Sequence, residues 1–185
     1  MPPKVKYSKE EIIRAAVELT RERGFEAVTA RDVGARLGTS SKPVYTAFAS
    51  MGELKDAVTK EAAARFDAFR LQEIAAGKYP AYKCVGMAYI RFAKEERNLF
   101  RLLFMRDRTS ETPDPNEHSY QDSIRIVSDQ TGLDTQSAGL FHAEMWVAVH
   151  GIAAMFATSY LDWDMELVSR MLTDLYEGLK ARQAQ

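Results

Sequence analysis

Apolar residues recur at intervals of three and four along almost the whole chain, and no sustained apolar–polar alternation interrupts them. That period belongs to amphipathic helices, so the pattern predicts an all-α protein. From about Ser8 to Arg23, Ile12, Ile13, Ala16, Val17 and Leu19 form one face, and Glu11, Arg14, Glu18, Arg21 and Glu22 the other. Ser8 and Glu11 stand three apart as in a capping box, and Gly24 followed by Phe25 supplies a C-terminal stop. A second helix begins at the cap residue Thr29, with Asp32 three positions on, points Val33 and Leu37 inward and ends at Gly38. A short third helix starts around Ser40, tolerates Pro43 in its first turn and is anchored by Val44 and Phe48. A fourth runs from near Ser50 to about Ala76, bounded by Gly77 and Pro80. Further helices are predicted over 80–96, 97–107, 116–131, 134–161 and 163–183, with Thr109 to Asn116, which holds Pro113 and Pro115, as a loop. Asp134 or Thr135 caps the long helix; Asp162 or Asp164 opens the last.

The segment from Thr29 to Phe48 stands out from this regular pattern. Two short helices joined by a glycine turn, the second small, polar and basic on its outer side, are how a helix-turn-helix offers a recognition helix to a DNA major groove. Such a helix needs an uncrowded first turn, outward groups that bond base edges and phosphates, and inward groups that lock it in place. Ser40, Ser41, Lys42, Pro43 and Thr46 meet the first two needs, Val44 and Phe48 the third. Thr29 sits at a helix N-terminus, which favours a phosphate oxygen. Tyr45 is suited to lie along the sugar-phosphate wall, and Lys55 is a second candidate phosphate clamp.

Charge sharpens this reading. The net charge of the 185 residues is −1, so the whole molecule is no general polyanion binder. Residues 1–60 nevertheless carry 11 Lys and Arg against 8 Asp and Glu, and the remainder 14 against 18, so the basic end is the one to approach phosphate. The single cysteine, Cys84, rules out an internal disulfide framework and fits a reducing cytoplasm. No apolar signal core opens the chain, since Glu10, Glu11 and Arg14 interrupt it. The longest nearly continuous apolar run, Met145 to Ala157, is too short for a bilayer and suits a buried helix.

The order Thr-x-x-x-(Val/Ile)-(Gly/Ala)-x-x-x-Gly-x-Ser, then Val-Tyr-x-x-Phe, then Glu-Leu, closely resembles the TetR family of one-component bacterial repressors. Here it is Thr29, Val33, Gly34, Gly38, Ser40, Val44-Tyr45, Phe48 and Glu53-Leu54. The resemblance covers about the first 60 residues, including Gly24-Phe25 and Val28-Thr29. It implies a three-helix DNA-binding domain, placed at residues 1–55, and a helical ligand-binding and dimerisation domain over 56–185. Two positions depart from the common pattern: Ala47 stands where many members have an aromatic or His, and Met51 where many have a phosphate-contacting Lys. Met51 resembles a branch that carries a Trp-x3-His-Gly motif in its C-terminal domain, and Trp146, His150 and Gly151 form that motif here.

Between Phe141 and Ala157 the long helix is apolar on nearly every side and must be covered all round. A chain of this size cannot cover it alone, so one side is expected to face a second subunit. The helix 163–183, with its stripe of Val168, Met171, Leu172, Leu175 and Leu179, is its natural companion, and Met155 joins them. Two helices from each subunit give a two-fold interface, and two recognition helices then read a pseudo-palindromic operator in double-stranded DNA. Candidate groups for a small apolar ligand are Phe66, Phe69, Tyr89, Phe92, Phe100, Phe104, Phe141, Met145, Trp146 and His150; residues at such spacing also make plain core.

His142 and His150 lie about 12 Å apart along a helix at 1.5 Å per residue, too far to share one metal ion. There is no zinc spacing, phosphate loop or nucleophile elbow, so no metal, cofactor or catalytic residue is expected. The reading is a cytoplasmic bacterial DNA-binding regulator, a homodimeric repressor released by its ligand, with no membrane partner. A ligand-independent DNA binder and a helical-bundle carrier or enzyme are the alternatives.

Overall fold

The computed structural model describes residues 7–107, 109 and 118–183, and within them all regular structure is helical. In chain order the helices are α1 (Lys9–Arg23), a 3-10 turn (Phe25–Ala27), α2 (Ala30–Arg36), α3 (Lys42–Ala47), α4 (Met51–Ala75), α5 (Ala81–Glu95), α6 (Arg97–Phe104), α7 (His118–Thr131), α8 (Thr135–Ala157) and α9 (Met165–Gln183). They form two compact units. The first takes the residues up to 68 together with 96–106, and the second takes 69–95 together with the residues from 107 onward. The expected loop from Thr109 to Asn116 lies, apart from Thr109, outside the described residues.

In the first unit, local chemistry sets where the helices begin and end. The Ser8 hydroxyl accepts from the Glu11 N–H at 3.2 Å, and the Glu11 carboxylate accepts from the Ser8 N–H at 2.7 Å, so the capping box is complete. Gly24, at φ +87°, stops α1 and returns its N–H to the Thr20 carbonyl. The apolar face of α1 closes on the first unit's core, where Ile12, Ala16, Val17, Val33, Val44, Leu54, Val58, Leu99 and Phe100 are all fully or almost fully buried. Leu99 and Phe100 belong to α6, which packs against α1. Arg21 of α1 grips Glu96 through Nε and Nη2 at 2.7 and 2.5 Å, and the Asn98 side-chain amide donates to the Arg21 carbonyl at 2.9 Å. Glu18 accepts from both Arg21 and Arg65; burial opposes its charge, but those two guanidiniums hold its pKa below the usual carboxylate value.

In the second unit α8 is the central helix, packed by α5, α7 and α9. Asp134 alone caps it, accepting from the Gln136 and Ser137 N–H groups. Asp164 begins α9, while Asp162 instead pairs with Lys94 at 2.8 Å. Gly86 of α5 marks a close approach: a Cβ there would stand 3.3 Å from Val149 on α8 and 3.5 Å from Leu172 on α9.

Two expectations about α8 need correction. It ends at Ala157, not 161, because the Thr158 hydroxyl turns back onto the Ala154 carbonyl, Ser159 adopts φ +59°, and the Tyr160 and Leu161 N–H groups both return to Met155 O. The apolar run is also part of a 23-residue helix that holds an 18-residue stretch of mean hydropathy 1.3, which by length and composition alone suffices to cross a bilayer. Its side chains Ala138, Phe141, Met145, Val149, Ile152, Ala153 and Phe156 are nevertheless buried within the second unit, as in a core helix.

Candidate nucleic-acid interface

The α2–α3 corner is built from the backbone outward. Thr29 caps α2: its hydroxyl accepts from the Asp32 N–H at 3.1 Å and also bonds the Asp32 carboxylate, which Arg23 pairs at 3.2 Å. The Thr29 hydroxyl and then Arg23 hold the Asp32 carboxyl below its ordinary pKa, so it stays ionised. At the other end, Leu37 returns its N–H to Val33 O, and Thr39 to Gly34 O at 2.9 Å. Gly38 makes the turn at φ +69°, a conformation glycine adopts without strain. The turn then folds directly onto α2: a Cβ on Gly34 would lie 2.5 Å from the Ser40 carbonyl oxygen and 2.7 Å from its carbon. A small residue at 34 is what lets the two helices meet at this distance.

The third helix starts two residues later than expected, at Lys42. Ser41 is its cap without a side-chain bond, and Ser40 Oγ lies 3.4 Å from the Lys42 N–H. Pro43 falls in its first turn. Val44 and Phe48 are buried inward. Lys42, Tyr45 and Thr46 are exposed, Tyr45 at 62%; Ser40 is exposed ahead of the helix, and Ser41 and Pro43 are half-buried. Lys42 and Thr46, four apart, share one face, with the Thr46 hydroxyl tied to the Lys42 carbonyl at 2.9 Å. The exit is locked too. Ser50 caps α4 through the Glu53 N–H, Glu53 accepts from the Ala49 N–H at 2.7 Å and from Lys9 at 2.9 Å, and the Lys9 ammonium lies over the Phe48 ring. α3 is therefore a short rigid rod with a polar, uncrowded outer row.

Charge pairing separates structural cations from available ones. Arg23, Arg36, Arg21 and Arg65 are each held by a carboxylate, Arg36 by both oxygens of Glu22 at 2.7 and 2.8 Å. Among the described residues, Lys42 enters no ion pair, and neither does the exposed Arg31 in the first turn of α2. The helical pattern does not mark Arg31 out; the signal it offers is a cation two residues after a helix cap. Lys55 is half-buried with its ammonium 5.0 Å from the centre of the Phe25 ring, so the expected clamp is seated on an aromatic face. Ala47 and Met51 are half-buried and supply no charge.

The residues expected around a ligand divide between the units. Phe66, Phe100 and Phe104 stack in the first, with ring centroids 5.2 Å apart for Phe66 and Phe104 and 5.0 Å for Phe100 and Phe104. In the second, Phe69 meets Phe92 at 5.6 Å, Phe141 meets Tyr176 at 5.2 Å, and Tyr89 meets Trp146 at 4.8 Å. Met145 is buried, and His150 Nδ1 lies 3.0 Å from the Tyr89 hydroxyl. Of the residues expected at a subunit interface, Val168 and Leu172 are buried inside the protomer, Met171 and Leu179 are half-buried, and Met155 and Leu175 are exposed. No group of three or more His, Cys, Asp or Glu among the described residues is placed to hold a metal ion.

Two family profiles match. Residues 12–58 match that of bacterial regulatory proteins, tetR family. Residues 83–175 match that of the tetracyclin repressor-like C-terminal domain. No curated protein sequence gives a significant match along the chain. The first match spans the two locked helices and the glycine turn just described, and the second alone spans half of the chain. The chain thus belongs to the tetR family, and it is a DNA-binding transcriptional regulator with an N-terminal helix-turn-helix domain and a helical C-terminal domain.

Proposed function

We propose that the protein is a homodimeric, cytoplasmic repressor that a small ligand releases from a pseudo-palindromic operator, without a cofactor or a membrane partner. Ser40, Ser41, Lys42, Pro43 and Thr46 read the groove; Tyr45 and Arg31 hold the backbone beside it; the start of α2 at Thr29 faces a phosphate; Lys55 acts from its seat on Phe25. Residues 1–55 form the reading head, and the Trp146, His150 and Gly151 motif favours the branch of the family that carries Trp-x3-His-Gly in its C-terminal domain.

The observation that carries the dimer is an open apolar stripe. Leu140, Val147 and Met155 on α8 are 55%, 72% and 37% exposed, and Leu167 and Leu175 on α9 are 37% and 41% exposed. Leu140 and Val147, seven apart, lie on one face, and Gly151 follows on it with open space where a Cβ would be. Two antiparallel helices with such a face, joined by Arg182 to Glu144 at 2.6 Å, pair with a second copy of themselves as a four-helix interface. Ligand release then requires only that the ligand favour the conformer with low DNA affinity.

Val147→Glu places two charges face to face across the two-fold axis. Sedimentation is expected to give a dimer for the natural protein at micromolar concentration and a monomer for the variant, with operator affinity falling in parallel. A monomeric natural protein, or a variant that stays dimeric, overturns the arrangement.

A further inference from the structure

Six rings meet beside α8 in the second unit. His142, Trp146 and His150 recur every four residues and share one helix face, with ring centroids 6.4 Å apart for the first pair and 6.1 Å for the second. From α5, the Tyr82 hydroxyl lies 2.8 Å from His142 Nδ1, and the Tyr89 hydroxyl 3.0 Å from His150 Nδ1. Tyr89 stands 4.8 Å from Trp146, and Tyr120 of α7 stands 5.2 Å from His142. A closed column of this kind is ordinary core. This one is open: Trp146 is 42% exposed and Tyr120 40%, while His142, in contact with both, is 7% exposed.

The phenol–imidazole pairs set the polarity of the column. Burial raises the pKa of the Tyr82 hydroxyl and lowers that of the His142 imidazole, so both are neutral at neutral pH. A protonated phenol that donates to Nδ1 leaves the imidazole hydrogen on Nε2. Nε2 of His142 bonds to no other described group and is not among the side-chain atoms closed off from solvent without a partner, so it reaches the open side of the column. The column thus presents exposed π-surface beside an unpaired N–H donor that solvent reaches on an otherwise buried ring.

We propose that this column is the ligand site of the C-terminal domain, and that it takes a planar aromatic molecule bearing an oxygen acceptor, stacked on Trp146 with the acceptor at His142 Nε2. This rests on the reading of the protein as ligand-regulated. An aliphatic chain would cover Trp146 without the offset or edge-to-face contacts that rings make with rings. An aromatic hydrocarbon would leave the His142 donor unpaired, and sites built to hydrogen-bond a ligand discriminate strongly against analogues that lack the group.

The test uses 2-naphthoate as probe, with protein carrying 15N-labelled tryptophan. Trp163→Phe identifies which indole N–H signal belongs to Trp146. The expected result is a saturable shift of the Trp146 signal with that of Trp163 unmoved, and binding of cyclohexanecarboxylate and of naphthalene weaker by about tenfold or more. Trp146→Leu and His142→Phe should each weaken 2-naphthoate by about tenfold or more, and His142→Phe should leave naphthalene binding unchanged. Should His142→Phe fail to fold, Trp146→Leu, at an exposed position, carries the test. No saturable shift up to about 1 mM, equal binding of cyclohexanecarboxylate, or unchanged affinity in Trp146→Leu overturns the proposal. DNA affinity, measured in parallel, separates the two readings: probe bound at Trp146 with DNA affinity unchanged supports the site and sinks ligand release.

Discussion

Phe100 lies some fifty residues beyond the helix-turn-helix, yet it belongs to the core of the same unit. It is fully buried, its ring is 5.0 Å from Phe104, and Phe104 in turn meets Phe66 at 5.2 Å. Phe100→Ala removes a whole ring from a packed interior, and such truncations cost about 3–5 kcal/mol. Against a domain stability of about 5–15 kcal/mol, a loss near about 4 kcal/mol raises the unfolded fraction of this unit by roughly a thousandfold. Native-state hydrogen exchange would locate the loss. Amides of α1, α2, α3 and α6 should exchange faster, those of α5 and α8 should not, and operator binding should fail at a lower temperature. Met105→Ala, at the exposed end of the same segment, is the control, with an expected effect within about 0.5 kcal/mol. A cost below about 1.5 kcal/mol, or accelerated exchange confined to the second unit, would refute the placement of α6 in the core of the first unit.

Lys42→Ala removes one cation from each reading head. If Lys42 meets phosphate, the slope of log affinity against log salt should become shallower by about 1.8 for a dimer, at about 0.9 per phosphate; gel-shift titrations at several salt concentrations read it, and an unchanged slope and affinity remove Lys42 from the interface. Because burial lowers the His142 pKa in the folded protein, the unfolded chain takes up a proton there that the folded one resists. That contribution to stability is complete above about pH 6.5 and is lost as the pH falls below it, well above the range where the lowered carboxyls of Glu18 and Glu53 titrate. Urea titrations at about pH 7.5 and about pH 5.5 should show the second unit weakening, with His142→Phe reducing the difference; an undiminished difference sinks the assignment to His142.

Local signals were readable from the residues alone. Ser8 with Glu11, Gly24, Thr29 with Asp32 and Gly38 each fix a helix end by hydrogen bonds within a few residues, and these ends stand where the pattern places them. The end of α8 was not readable, because the run Ala-Thr-Ser-Tyr-Leu from 157 holds neither glycine nor proline; it is a Thr hydroxyl and a Ser in the left-handed region that turn the chain. Periodicity also tells which face of a helix is buried but not against what. Phe100 and Phe104 therefore looked like neighbours of Trp146, whereas they pack with Phe66 in the other unit. Within the candidate interface, the outer row of α3 was legible from composition. Arg31 was not, since its availability emerges only when Arg23 and Arg36 are seen to be taken by Asp32 and Glu22.

The central claim is that two copies of α3, related by a two-fold axis, read DNA. Selection of bound sequences from a random duplex pool, at fixed and stated salt, tests it most directly. The account predicts enrichment of an inverted repeat whose half-sites are separated by about one helical turn, 10–10.5 base pairs, or a multiple of it, with enrichment lost on Val147→Glu. Recovery of a single asymmetric site, or no enrichment above the starting pool, would contradict it.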